Sequence, residues 1–251
     1  MIIPLFEEWT SQPTQAAGID RQFAPGLQWL YNPATGRDAA MGRGPIDGTF
    51  KAGWGPQGKS ALFDGTNSLD FGTWPAIDGM AECTFFCWFR PGTQVESYCA
   101  PIAKTWNDAG AAPYGSFWIE LQGGRMYAWF GYSTSGGNSS AGGDIGAYSV
   151  GSTYLVLARW SNQSSGGFNN CSVWVNGVQA LDLGSGTGSL AIVTGSSPSN
   201  GLLLGGRNST TTNGGSNRFV GDVFLAGVAN VWWPIQTIRG FYSGPWRVFA
   251  P

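Results

Sequence analysis

From Lys59 onward, apolar and polar residues exchange places at every second position, in short runs broken by Gly, Asn, Asp and Pro. Successive side chains of an extended chain point to opposite faces, so this period, recurring between turn signals, predicts a β-sandwich. The stretch Ser60 to Phe71, S-A-L-F-D-G-T-N-S-L-D-F, shows it best: an apolar strand ends in Asp-Gly and a second begins almost at once. The pattern predicts strands at 60–64, 68–72, 82–90, 99–105, 116–121, 125–131, 152–160, 171–176, 178–183, 201–205 and 218–232. Thr84 to Phe89 is apolar on both faces until Arg90, which predicts a central strand ended by Pro91, with Trp88 in the core. Asn176-Gly177 predicts a two-residue type I′ hairpin turn, because both central residues of that turn need positive φ. Pro234, followed by apolar residues at 235, 238, 241 and 242, predicts one short helix near the C-terminus.

Residues 1–55 break the alternation and are punctuated by Trp, Pro and Gly. They read as an N-terminal arm and irregular cover, leaving 56–251 as the sandwich. Glycine- and serine-rich segments at 133–146, 161–170 and 208–217 read as exposed loops, the places where a rigid scaffold carries binding.

Composition narrows the function classes. A chain of 251 residues with 42% hydrophobic content can bury a substantial core as one domain. Only 11% of residues are charged and the net charge is −2, which argues against nucleic acid and against an anionic membrane surface as partners. No apolar run is long enough to span a bilayer, and M-I-I-P-L-F-E-E-W lacks the basic start and apolar core of a secretory signal, so synthesis in the cytosol is expected. Cys83, Cys87, Cys99 and Cys171 are too sparse for a disulfide framework and read as small buried hydrophobes.

The sequence contains no histidine, which removes Ser-His-Asp and Cys-His catalysis and imidazole metal sites. Glycoside hydrolysis needs two carboxyl groups about 5 to 9 Å apart, and sandwich enzymes present them at alternating positions of one strand. None of the fifteen acids stands two positions from another, and a cross-strand partner for Glu120 is the remaining route, so no enzymatic activity is expected. Calcium is the one cofactor the residues admit, through oxygens of Asp64, Asn67 and Asp70 or of Asp108 and Asp144; turn hydrogen bonds of the Asx type account for Asp64 and Asn67 equally well. Thirteen tryptophans, fifteen phenylalanines and eight tyrosines raise the question of sugar stacking. Aromatics inside strands read as core filler, whereas Trp106, Asn107, Tyr114 and Tyr132 sit beside polar loops and are the candidate glycan contacts.

Six segments occur in a consistent order: W-L-Y-N-P-A-T-G-R near 29–37, W-G-P-Q-G-K-S-A-L-F-D-G-T-N-S-L-D-F at 54–71, F-C-W-F-R-P at 86–91, V-W-V-N-G at 173–177, L-L-L-G-G at 202–206 and the terminal G-P-W-R-V-F-A-P. Together they resemble the laminin-G-like branch of the concanavalin A-like jelly rolls, in the form encoded by tailed bacteriophages. The ending is similar to an N-P-W-x-x-F-A-P terminus of such proteins, with Gly244 in place of Asn. The resemblance implies an all-β, two-sheet antiparallel jelly-roll sandwich with an irregular N-terminal arm and a short C-terminal helix. It also implies a non-enzymatic virion component made in the host cytoplasm. The main reading is a head decoration or cement protein, homo-oligomeric and partnered by other virion proteins, above all the major capsid protein. A tail or surface lectin that grips host glycans is the alternative. Trp9, Phe23, Trp246, Arg247 and Phe249 fall outside the strand pattern and are the candidate assembly contacts, unless both ends fold back to close the chain's own sandwich.

Overall fold

A computed structural model describes residues 24–39, 43–72, 74, 77, 80–105, 115–134, 137–161, 171–183, 191–192, 201–207 and 217–249. In chain order the strands are β1 (Leu27–Asn32), β2 (Arg37–Asp38), β3 (Ala52–Gly55), β4 (Gly58–Asp64), β5 (Leu69–Asp70), β6 (Glu82–Pro91), β7 (Cys99–Thr105), β8 (Gly115–Gln122), β9 (Arg125–Thr134), β10 (Gly137–Ala147), β11 (Tyr154–Ser161), β12 (Cys171–Val175), β13 (Val178–Leu183), β14 (Ala191–Ile192), β15 (Leu202–Leu204) and β16 (Val220–Ala229). A single α-helix among the described residues, α1 (Ile235–Ser243), is followed by a 3-10 turn over Pro245–Val248.

The strands form an antiparallel sandwich. The first sheet runs β13-β12-β11-β6-β16 and then forks, with β1 and β2 along one part of β16 and β4 and β3 along the other. The second runs β10-β9-β8-β7-β15-β5, with β14 against the end of β9. Between them lies the main core, where the Phe85 ring meets Phe117 at 4.7 Å and Phe130 at 5.1 Å. All four cysteines are buried free thiols. Burial pushes the Cys171 thiol up to about 12 and that of Cys83 higher still, so they act as hydrophobes.

β6 is the central strand its two-faced apolar sequence predicts. Phe85, Cys87 and Phe89 face the second sheet, while Phe86 and Trp88 face outward into a second cluster. A third layer covers that outer face: Ile238, Phe241 and Tyr242 of α1, then Trp246, Val248 and Phe249. The Tyr242 hydroxyl reaches the carbonyls of Trp174 at 2.9 Å and Leu155 at 3.1 Å, and Arg159 lies 4.6 Å from the Trp174 ring and 4.0 Å from that of Trp232. Asn176 and Gly177 adopt φ of 49° and 81° at the β12–β13 hairpin, as the turn chemistry predicts.

Three expectations need correction. Segments expected in the N-terminal cover are part of the sandwich: β1, β2 and β3 join the first sheet, and β1 pairs with β16 and buries Leu27, Trp29, Leu30 and Tyr31 completely. A bulge between Leu27 and Trp29 interrupts its alternation, and both of its faces are covered, so no period of two is visible. The segment 133–146 is largely strand rather than exposed loop, because β10 pairs with β9 along its length; its glycines and serines hide the pattern. The apolar side chains of the C-terminal tail fold back on the chain's own first sheet. Trp246 and Phe249 are buried against the chain's own first sheet, the Trp246 ring 5.2 Å from Trp88, and only Arg247 of that candidate trio is exposed. Trp9 and Phe23 lie outside the described residues.

Candidate functional site

The outer face of the second sheet carries the most distinctive chemistry. β8 and β9 are joined through Gly123-Gly124, and the tight turn fixes their register: Gln122 opposite Arg125, Glu120 opposite Tyr127 and Trp118 opposite Trp129. Phe117, Ile119 and Leu121 of β8, with Met126, Ala128 and Phe130 of β9, point into the core. Strict alternation therefore sends Trp118, Glu120, Arg125, Tyr127 and Trp129 to the outer face.

There the rings form a series. Trp118 and Trp129 are 6.2 Å apart with 24° between their planes, and Trp129 and Tyr127 are 6.4 Å apart with 8° between theirs. Arg207, just beyond β15, sits 5.4 Å over Trp118 at one end of the series. Trp118 is buried, whereas Trp129 and Tyr127 keep part of their surface in solvent.

Glu120 ties the buried end together. One of its oxygens accepts from Trp118 Nε1 at 3.1 Å and from Arg207 Nη1 at 3.0 Å. Desolvation raises the Glu120 carboxyl above its usual range, against the opposing pull of Arg207 and the indole N–H. At the other end Arg125 pairs with Asp144 of β10, and this hydrogen bond lowers the Asp144 carboxyl. Glu120 and Asp144 lie on either side of Tyr127, two strand spacings or about 10 Å apart at the backbone.

β10 is the edge of this sheet and stands opposite Trp129 with Gly142. Its φ is 144°, and a Cβ there would lie 2.0 Å from the Ala128 carbonyl oxygen, so a side chain is excluded. The edge next to Trp129 is bare backbone. Half-exposed rings, hydrogen-bonding groups at both ends and an open edge suit a ligand with a flat apolar face and polar margins, which is the character of a sugar.

The candidates expected from the sequence are other residues. Trp106, Asn107 and Tyr114 lie outside the described residues, as does Asp108. Tyr132 is on β9, its backbone paired with Ser139 and Ile192. Asp64 is engaged by an ion pair with Lys51 at 2.5 Å, while its contact with Thr66, the Asp64 amide's bond to Asn67 at 3.1 Å and the Gly72 amide's bond to Asp70 at 2.7 Å are turn chemistry. Among the described residues no three His, Cys, Asp or Glu side chains gather as a metal site. The platform residues Trp118, Tyr127 and Trp129 escaped the sequence reading, which treats strand aromatics as filler. The signal was the hairpin itself: W-I-E-L-Q-G-G-R-M-Y-A-W pairs across its Gly-Gly turn only with Trp opposite Trp.

No family model and no curated protein matches the chain. Solved structures do. Domain 4 of AbnA, an extracellular arabinanase from Geobacillus stearothermophilus solved in complex with arabinotriose, is 16% identical with a TM-score of 0.55, over 85% of this chain and 96% of that one. A Trypanosoma rangeli sialidase in complex with the inhibitor DANA is 13% identical with a TM-score of 0.58, over 89% of this chain and 34% of the sialidase. The botulinum neurotoxin serotype G binding domain is 11% identical with a TM-score of 0.54, over 86% of this chain and 50% of that domain. At these identities the likeness shows a shared β-sandwich fold.

Proposed function

We propose that this chain is a lectin-like β-sandwich that binds a glycan on the outer face of its second sheet and does not cleave it. The observation that carries the reading is the near-parallel series Trp118, Trp129 and Tyr127, of which the last two remain partly exposed on a strand whose alternate residues Met126, Ala128 and Phe130 are core. Domain 4 of AbnA, of the same fold and nearly the same extent, is a sandwich with an oligosaccharide bound, which supports the class of ligand. Turnover is left out because Glu120 is held by Arg207 and Asp144 by Arg125, so neither carboxylate stands free to serve as acid or nucleophile.

The test is calorimetric titration against a panel of oligosaccharides, arabinotriose included. Trp129→Ala should raise Kd by about tenfold or more, a loss of about 1.4 kcal/mol, because the ring is the contact surface. Its melting temperature should stay near that of the parent. Retained affinity in Trp129→Ala, or release of reducing sugar by the purified protein, would refute the proposal.

The particle setting is the finer part of the same proposal. It rests on the resemblance of the terminal G-P-W-R-V-F-A-P to phage virion proteins, and a glycan-binding face fits a tail or surface position better than a capsid cement. Immunolabelling of particles at the tail tip supports that position; labelling confined to the capsid lattice overturns it in favour of head decoration.

A further inference from the structure

We infer that the platform selects an uncharged oligosaccharide over an anionic one; the inference rests on the proposed glycan-binding function and adds the class of ligand. The first ground is charge. Among the described residues, four ionised groups border the rings on this face, and they form two pairs, Glu120 with Arg207 and Arg125 with Asp144. Their charges sum to zero. A uronate, sialate or sulfate that approached Arg125 or Arg207 would set its charge beside the Asp144 or Glu120 carboxylate that already neutralises that guanidinium. Displacing Glu120 from Arg207 would leave a buried carboxylate without its counter-charge, the costly outcome for any ion pair removed from water. Arg207 is further committed by its position over Trp118, and its side chain is only 15% exposed.

The second ground is shape. The rings that stay in solvent, Trp129 and Tyr127, form one apolar strip, and Gly142 beside Trp129 leaves the sheet edge open. The two ring centroids are 6.4 Å apart, a spacing that engages more than one sugar of a chain, while the paired side chains at the ends present polar atoms to their hydroxyls. Affinity should therefore grow with chain length from one sugar to two or three, and should depend little on salt, because no net charge is screened.

The experiment is titration calorimetry with intact protein against two panels: cello-, xylo-, malto- and arabino-oligosaccharides of one to four sugars, and oligogalacturonates with sialyllactose. Each is measured in about 0.05 and about 0.5 M NaCl. The expected result is binding to a member of the neutral panel, at least about tenfold tighter for its trimer than for its monosaccharide, shifted less than about twofold by salt and abolished in both Trp129→Ala and Tyr127→Ala. Preference for an anionic ligand, weakened about tenfold by the higher salt and still lost in Trp129→Ala, overturns the inference while leaving glycan binding on this face intact. Binding to neither panel overturns both. Circular dichroism of the two variants separates a lost contact from a lost fold.

Discussion

Replacing Trp246 with Ala tests whether the C-terminal tail is cover for the chain's own sheet or an anchor for a neighbour. The side chain is 5% exposed and packs against Trp88 at 5.2 Å and Phe249 at 6.3 Å, in a cluster with Phe86, Leu155 and Leu157. Truncating a buried Trp to Ala costs about 3 to 5 kcal/mol through lost transfer energy and the cavity left behind. One term works the other way: the Trp246 indole N–H finds no acceptor among the described residues, and a buried unsatisfied donor costs about 1 to 3 kcal/mol that the mutation removes. The net expectation is a loss of about 2 kcal/mol. For a chain of this size each kcal/mol lowers the melting temperature by about 2 to 4 °C, so the shift should be about 4 to 8 °C. Trp246→Phe keeps the ring contact and deletes the unsatisfied donor, and should fall within about 1 kcal/mol of the parent. The assay is urea and thermal unfolding followed by circular dichroism, repeated over about a tenfold range of protein concentration, with light scattering for the oligomeric state. A cover residue gives a loss that does not depend on concentration. A loss below about 1 kcal/mol, or one that appears only as dissociation of an oligomer, would refute the packing argument and restore the tail as an assembly element.

Two further consequences follow from the buried charges. Desolvation, aided by the nearby Asp47 charge and opposed by the Gly72 amide, raises the Asp70 carboxyl, so the folded state holds that proton more tightly than the unfolded chain does. The ionised form therefore lowers stability above its folded pKa, and the effect vanishes below the unfolded value of about 3.9. Asp70→Asn should melt higher than the parent at pH 7 and coincide with it near pH 3; an equal difference at both pH values would contradict this. Arg159 stacks between Trp174 and Trp232 and donates to the Trp233 carbonyl at 2.5 Å and to Ser172 Oγ at 2.9 Å. Arg159→Lys, which lacks the planar fork, should lose about 2 kcal/mol in urea unfolding, and a change under about 0.5 kcal/mol would mean that the contact does not hold the third layer.

The parts of the fold legible in the sequence are those whose signal is local. Asn176-Gly177 fixes its hairpin through the φ values the turn demands, and Thr84 to Phe89 announces a central strand because nothing polar interrupts it. β1 was hidden by Gln28 at its bulge, which shifts the phase of alternation, and by burial on both faces. β10 was hidden by composition, since Gly and Ser give no apolar period, yet its backbone pairs fully with β9. The site was half legible. The register that sets Trp118 against Trp129 follows from the Gly-Gly turn, but the contact that orients Glu120 comes from Arg207, 87 residues away, and no pattern announces it.

Both sheets carry aromatic rings on their outer faces, and exposure decides what each set is for. On the first sheet Phe86, Trp88 and Phe224 are wholly buried, beneath a layer built from α1 and the tail, so they are core in the same sense as Phe85. On the second, Trp129 and Tyr127 keep contact with water although large apolar rings gain about 1.5 to 3 kcal/mol by full burial. The proposed ligand-binding role accounts for a ring left partly wet at that cost, in a row with two others and flanked by ion pairs. The same comparison reassigns the terminal motif. Trp246, Val248 and Phe249 of G-P-W-R-V-F-A-P close the first sheet, and Arg247 alone among those four faces solvent. These three side chains thus supply cover for the outer face of a first sheet that is apolar on both faces.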